Sequence, residues 1–159
     1  MSRITQRFQK LGETPAFIPY ITAGDPTLAL TAQLVLELER AGADVIELGV
    51  PFSDPVADGI VNQEAAQRAL RNDVSLHDIV KLVKEIRRNS QIPIVLFTYF
   101  NPVLAYGLTD FAADCADAGV DGILCVDLPP EEAADYKSAL DAKGVDTVFL
   151  VGPTSPDER

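Results

Sequence analysis

The sequence predicts an α/β chain of the (β/α)8-barrel type, with about five strand–helix units in one domain over residues 1–159. Three observations lead there. Five short, β-branched apolar runs (17–22, 45–50, 92–99, 122–128 and 147–151) read as parallel strands covered on both faces. Stripes of helical period lie between them. Polar residues gather at the C-terminal ends of the runs, where barrels of this type assemble their sites: Thr22 and Asp25, Ser53 and Asp54, Thr98, Tyr99 and Asn101, and Asp127.

Taken in order, residues 2–10 form a short amphipathic helix before strand one. The turn after that strand, TAGDP, has a single Gly24 and then Pro26, so it lacks the glycine fingerprint of a dinucleotide fold. Leu30, Leu34, Leu38 and Ala41 share one face of the next helix, an apolar stripe. Strand two runs from Val45 to Val50, and a loop rich in proline leads to a helix near Asn62. Ser75 and Asp78 form a capping box ahead of the stripe Leu76, Ile79, Val80, Val83 and Ile86. Thr109 is the expected N-cap for Phe111, Cys115 and Ala118, and Ala133, Tyr136 and Leu140 form the last stripe. After strand five, Thr154 or Ser155 caps a helix whose first residue is Pro156.

A weak repeat agrees with this map: AGADVIELGVP, AGVDGILCVDLP and KGVDTVFLVGP. In each, a glycine (Gly42, Gly119, Gly144) ends a helix, and an acid follows two residues later (Asp44, Asp121, Asp146). A strand and a proline complete the unit (Pro51, Pro129, Pro153). A whole barrel needs about 250 residues and eight strands. The 159 residues are therefore expected to be part of a barrel, or to close as an open five-stranded sheet. Strands one and five would then carry unpaired edges, a route to self-association.

Composition narrows the function. At 47% hydrophobic and 23% charged, the chain is ordinarily globular. A net charge of −11 argues against nucleic acid and against an anionic membrane as partners. No apolar stretch approaches the ~18 residues of a membrane span, and the N-terminus does not read as a signal peptide. Two cysteines, Cys115 and Cys125, are too few for a disulfide framework and point to reduced thiols in the cytoplasm.

The segment ELGVPFSDPVADG carries the chemistry. Glu47 lies inside an apolar strand, and Asp58 on the loop that follows. Burial without a cation raises a carboxyl pKa, which suits proton transfer near neutrality, while a loop acid stays ionised. The plainer alternatives are a Glu47 satisfied by backbone donors and an Asp58 that caps the next helix. A hard cation on Asp54, Asp58 and Asp127 is the rival chemistry. Against it, His77 is the only histidine, on a charged helix start, and no HxH or CxxC is present; no metal is expected. The lysines lie in helical or terminal segments rather than in strand cores, which disfavours a Schiff base. Tyr20, Phe97 and Tyr99 offer aromatic walls for a flat ligand, or simple core packing.

FIPYITAGDP (17–26), ELGVPFSDPVADG (47–59), FTYFNPVLAYG (97–107) and GILCVDLPPEE (122–132) closely resemble the tryptophan synthase alpha subunit, and the likeness runs through the whole chain. The resemblance implies a (β/α)8 TIM barrel and a lyase that cleaves indole-3-glycerol phosphate into indole and glyceraldehyde 3-phosphate. By it, Glu47 matches the catalytic glutamate that shuttles protons, and Asp58 the aspartate that holds the indole N–H. Tyr20, Phe97, Tyr99, Leu124 and Leu150 match the indole pocket. Pro51, Ser53, Asp54, Pro55, Asn101, Tyr106 and Gly107 match the surface toward a beta subunit in an alpha2-beta2 complex. No cofactor is implied on this chain; pyridoxal phosphate belongs to the partner. Two departures stand out: Ile60 replaces a proline after Asp58-Gly59, and the family's later strands, with their phosphate cradle, have no counterpart here.

Overall fold

The computed structural model describes residues 1–155, so the helix expected from Pro156 lies outside the described residues. Five parallel strands form one sheet in the order β1 (Tyr20–Thr22), β2 (Ile46–Gly49), β3 (Ile94–Thr98), β4 (Gly122–Cys125) and β5 (Asp146–Val148). Sequence order equals spatial order, as repeated right-handed crossovers require. Among the described residues β1 pairs only with β2, and β5 only with β4. The strands are shorter than their apolar runs: Phe17, Ile18, Leu150 and Val151 at the outer flanks are exposed, although some flanking residues still bond across, as the Asp44 amide does to the Phe17 carbonyl and the Val50 amide to the Phe97 carbonyl, each at 2.8 Å.

The helices are α1 (Arg3–Leu11), α2 (Leu28–Arg40), α3 (Ile60–Leu70), α4 (Leu76–Ile86), α5 (Phe100–Tyr106), α6 (Leu108–Ala118) and α7 (Ala134–Asp141). The Ser75–Asp78 capping box is present in full. Two expectations need correction. Thr109 is inside α6, whose N-cap is Gly107 at φ +91°, a conformation that a glycine adopts at little cost. Leu30 and Leu34 of α2 are exposed, and the buried face is instead Thr31 and Val35. The reason is polar: Thr31 Oγ1 accepts from the Gly24 amide at 3.0 Å and donates to the Thr27 carbonyl at 2.9 Å. That chain of bonds turns the helix away from its leucine stripe.

Strand alternation gives the sheet two different faces. Ile46, Leu48, Ile94, Leu96, Ile123 and Cys125 enter the main core beneath the helices. On the other face, Val45, Val95 and Leu124 make a smaller cluster with Phe97, Val126, Val148 and Ile4 of α1. Helix α1 packs so closely there that a Cβ on Gly122 would lie 3.1 Å from Ile4 Cδ1.

Two repeat acids tie α1 and the strand starts together. Asp44 accepts the Phe17 amide at 2.6 Å and Arg7 Nε at 2.8 Å, within an ion pair with the Arg7 guanidinium; the amide first, then the arginine, holds its pKa below the usual carboxylate range. Asp121 accepts the Ile94 amide at 2.8 Å, Arg87 at 2.6 Å and Arg3 at 2.8 Å. Arg87 also donates to the carbonyls of Gly119 and Ile92. Asp121 is 3% exposed and Arg87 9%, so removing the acid strands a buried cation and an amide. Asp121→Ala is expected to destabilise the chain by about 3–5 kcal/mol in chemical denaturation. Asp117→Ala, which breaks the exposed pair with Lys84, is expected to cost under about 0.5 kcal/mol. Equal costs would contradict this reading of the sheet's N-terminal end.

Candidate active site

Glu47 sits in the middle of β2, aligned with Tyr20 of β1 and Val95 of β3. Register partners in parallel strands share a face, so Glu47 belongs to the smaller face and not to the helix-covered core. Its side chain is half-buried, and among the described residues nothing hydrogen-bonds to its carboxylate. A glutamate satisfied by backbone donors is therefore not what the structure contains. Burial alone pushes its pKa above the ordinary carboxyl value.

Tyr20 lies beside it. The ring meets Phe97 edge-on at 5.4 Å, and the hydroxyl hangs over Gly49, where a Cβ would come within 2.1 Å of it. Glycine at 49 is thus what leaves room for the phenol. Thr22 Oγ1 donates a long 3.5 Å bond to Tyr20 Oη. Burial raises the Tyr20 pKa, and the negative charges of Asp58 and Glu47 raise it further. Two carboxylates eleven positions apart in sequence thus act on one phenol.

Asp58 does not cap α3. Gly59 is the N-cap, without a side-chain bond, and Ile60 occupies the first helical position, one where proline is well tolerated. The Asp58 carboxylate instead accepts from Tyr99 Oη at 2.6 Å, and its carbonyl accepts from Gln63 Nε2 at 2.8 Å. The loop is held rather than loose: the Ala57 amide donates to Tyr99 Oη at 3.0 Å, and Phe52 packs on the Tyr99 ring at 5.2 Å. Behind it, Arg68 of α3 makes a two-pronged bond to Asp25 at 2.8 and 2.7 Å, which depresses the Asp25 pKa.

The other predicted residues divide. Phe97 and Leu124 lie on the Glu47 face. Leu150 is exposed, two residues past β5, beside a shallow cavity formed with residues 125–130. Ser53, Asp54 and Asn101 are exposed, Pro55 and Gly107 partly so, and Pro51 is buried directly behind the strand end. Tyr106 is occupied within the chain: it stacks on His77 at 3.7 Å and donates to Asp114 at 2.7 Å. His77 is exposed but not simply solvated. Asp54, Asp58 and Asp127 are not brought together; they take Ser53, Tyr99 and the Phe100 amide as separate partners. Asp127 thus serves the start of α5. Among the described residues no group of three or more His, Cys, Asp or Glu is placed to hold a metal ion. Cys115 and Cys125 are buried, free thiols, the latter pushed up to about 12 chiefly by burial. Sequence reasoning missed the link between Tyr99 and Asp58; a buried tyrosine rather than phenylalanine, which demands a hydroxyl partner, was its one signal.

The raised Glu47 pKa has a stability consequence. Its charged form is disfavoured in the folded state, so its contribution is most favourable below the unfolded pKa and is lost as pH rises through the folded one. Glu47→Gln removes that loss. The variant is expected to exceed the parent in urea midpoint at pH 8, with the gap closing below about pH 4.5. A gap independent of pH would contradict the burial of the carboxylate.

The chain is similar to known proteins along almost its whole length. The family model described as tryptophan synthase alpha chain matches residues 7–159. The tryptophan synthase alpha chains of Citrifermentans bemidjiense and Chromobacterium violaceum are each 56% identical, across 100% of this chain and 60% and 61% of theirs. Among solved structures, subunit alpha from Legionella pneumophila superimposes with a TM-score of 0.96 at 41% identity, over 99% of this chain and 62% of that one. A chain of the tryptophan synthase complex from Pyrococcus furiosus does so at 0.85 and 48% identity, over 90% and 59%. The chain spans about 60% of the length of the curated relatives it matches. It belongs to the tryptophan synthase alpha chain family.

Proposed function

We propose that this chain carries the proton-transfer half of a lyase site that cleaves indole-3-glycerol phosphate to indole and glyceraldehyde 3-phosphate, a step of tryptophan biosynthesis in the cytoplasm. The observation that carries the reading is the unpartnered, half-buried Glu47 carboxyl, held in register with Tyr20 on an aromatic-lined face. Burial keeps a proton on Glu47 at a higher pH than usual, so it can deliver that proton to indole C3. The ring nitrogen then carries positive charge, and Asp58 accepts its N–H and offsets the charge. Loss of the side-chain hydroxyl proton, taken up by Glu47, breaks the carbon–carbon bond. The electron pair returns to the ring, an aldehyde leaves, and Glu47 ends protonated again, by the hydroxyl proton in place of the one now on C3. Tyr20, Phe97 and Leu124 form the apolar wall, with Leu150 at its rim.

On this reading the chain needs neither metal nor cofactor of its own. Pyridoxal phosphate belongs to a beta subunit, which receives the indole. The exposed part of the 51–59 loop and α5 face that partner. That a structural neighbour belongs to a tryptophan synthase complex supports a partner of this kind.

Indole release from indole-3-glycerol phosphate tests the proposal, assayed for this chain and for a fusion that adds the remaining segment of the Citrifermentans relative, each with and without a beta subunit. In whichever form turns over, Glu47→Gln is expected to lower kcat by at least about a hundredfold. Near-normal turnover in the variant would overturn the assignment of Glu47.

A further inference from the structure

Tyr99 is 3% exposed and stands just past the end of β3. Its position in the wall of an aromatic pocket would be served by a phenylalanine. The hydroxyl does something more specific. Tyr99 Oη accepts the Ala57 amide at 3.0 Å and donates to Asp58 Oδ2 at 2.6 Å, so one oxygen holds two consecutive residues of the 51–59 loop. The ring is packed on Phe52, from the start of the same loop. The Tyr99 backbone is fixed as well. It is the N-cap of α5, and the next amide, Phe100, donates to Asp127 Oδ1 at 2.8 Å. The loop acid is thereby fastened to β3, to α5 and to the segment after β4 through a single side chain.

We propose that Tyr99 is a positioning residue for Asp58: its phenol occupies Oδ2 and, through the Ala57 amide, sets the loop so that Oδ1 is the acceptor left for the substrate N–H. The substrate part of this statement rests on the lyase reading; the latch itself does not. A charge-assisted O–H···O bond of 2.6 Å is among the strong ones, and it constrains a carboxylate that the loop backbone alone would leave rotatable. Two bonds to one phenol tie the loop, with Pro51, Pro55 and Gly59, to the residue just past β3.

Tyr99→Phe keeps the ring and removes the latch, and amide hydrogen exchange by NMR reads the result. The Ala57 amide is expected to exchange about tenfold or more faster, while the strand amides of Leu48, Leu96 and Ile123 keep their rates. Unchanged Ala57 exchange with intact strands would overturn the proposal. Should the variant lose strand protection, Asp58→Asn decides instead. The 13Cζ resonance of Tyr99 is then expected to titrate at lower pH, because forming the phenolate no longer opposes the Asp58 charge, with Asp127 remaining as the other carboxylate that acts on it. An unmoved titration would overturn the latch. Neither readout requires turnover, so a failed lyase reading leaves both standing. In a form that releases indole, Tyr99→Phe is expected to lower kcat about tenfold with KM changed by less than roughly threefold. A rise in KM alone would return Tyr99 to the pocket wall.

Discussion

The register of β2 between its neighbours is the constraint on which everything else here depends. Tyr20, Glu47, Val95 and Gly122 stand level across four strands. Side chains alternate with period two, so a slip of one residue would send Glu47 into the helix-covered core and bring Ile46 or Leu48 to the open face. Ile46 and Leu48 bury completely only in the observed register. The apolar packing that stabilises the sheet therefore also chooses the face on which the acid emerges, and the aromatic residues follow on the same parity.

The two ends of the sheet divide the work of charge. At the N-terminal end, Asp44 and Asp121 are saturated: each takes the amide of a neighbouring strand start and at least one arginine. These acids hold strands and α1 in place, and their donors fully account for them. In mid-strand, Glu47 has burial without a partner; past the C-terminal end, Asp58 has one phenol on its carboxylate and the Gln63 amide on its own carbonyl. Saturated acids are structural, whereas an unsaturated buried acid stays available to a proton or a ligand. The same residue type plays both parts, and the donors around it make the difference.

Much of this was readable before any coordinates, because it is local. Apolar β-branched runs marked the strands, Ser75 and Asp78 marked a cap, and Val45, Ile46, Leu48 and Val50 marked Glu47 as an acid inside an apolar strand. What could not be read is carried by contacts distant in sequence or by buried polar atoms. Thr31 outcompetes Leu30 and Leu34 for the buried face through bonds to Gly24 and Thr27. Gly107 starts α6 where Thr109 looked suitable, because a positive φ ends one helix and opens the next. Helix α5 has only seven residues, too few to show a helical stripe, and the bond from Tyr99 to Asp58 spans 41 residues. Spacing rules do not reach that far.

The central claim is that the Glu47 and Asp58 carboxylates both act on the Tyr20 phenol. The most direct measurement is the pH titration of the Tyr20 13Cζ resonance in the parent chain, in Glu47→Gln and in Asp58→Asn. Burial and both negative charges raise the Tyr20 pKa. Each neutralising substitution is therefore expected to move the titration to lower pH, and the double variant further than either. A Tyr20 titration indifferent to both substitutions would place the two carboxylates in separate environments and contradict the account.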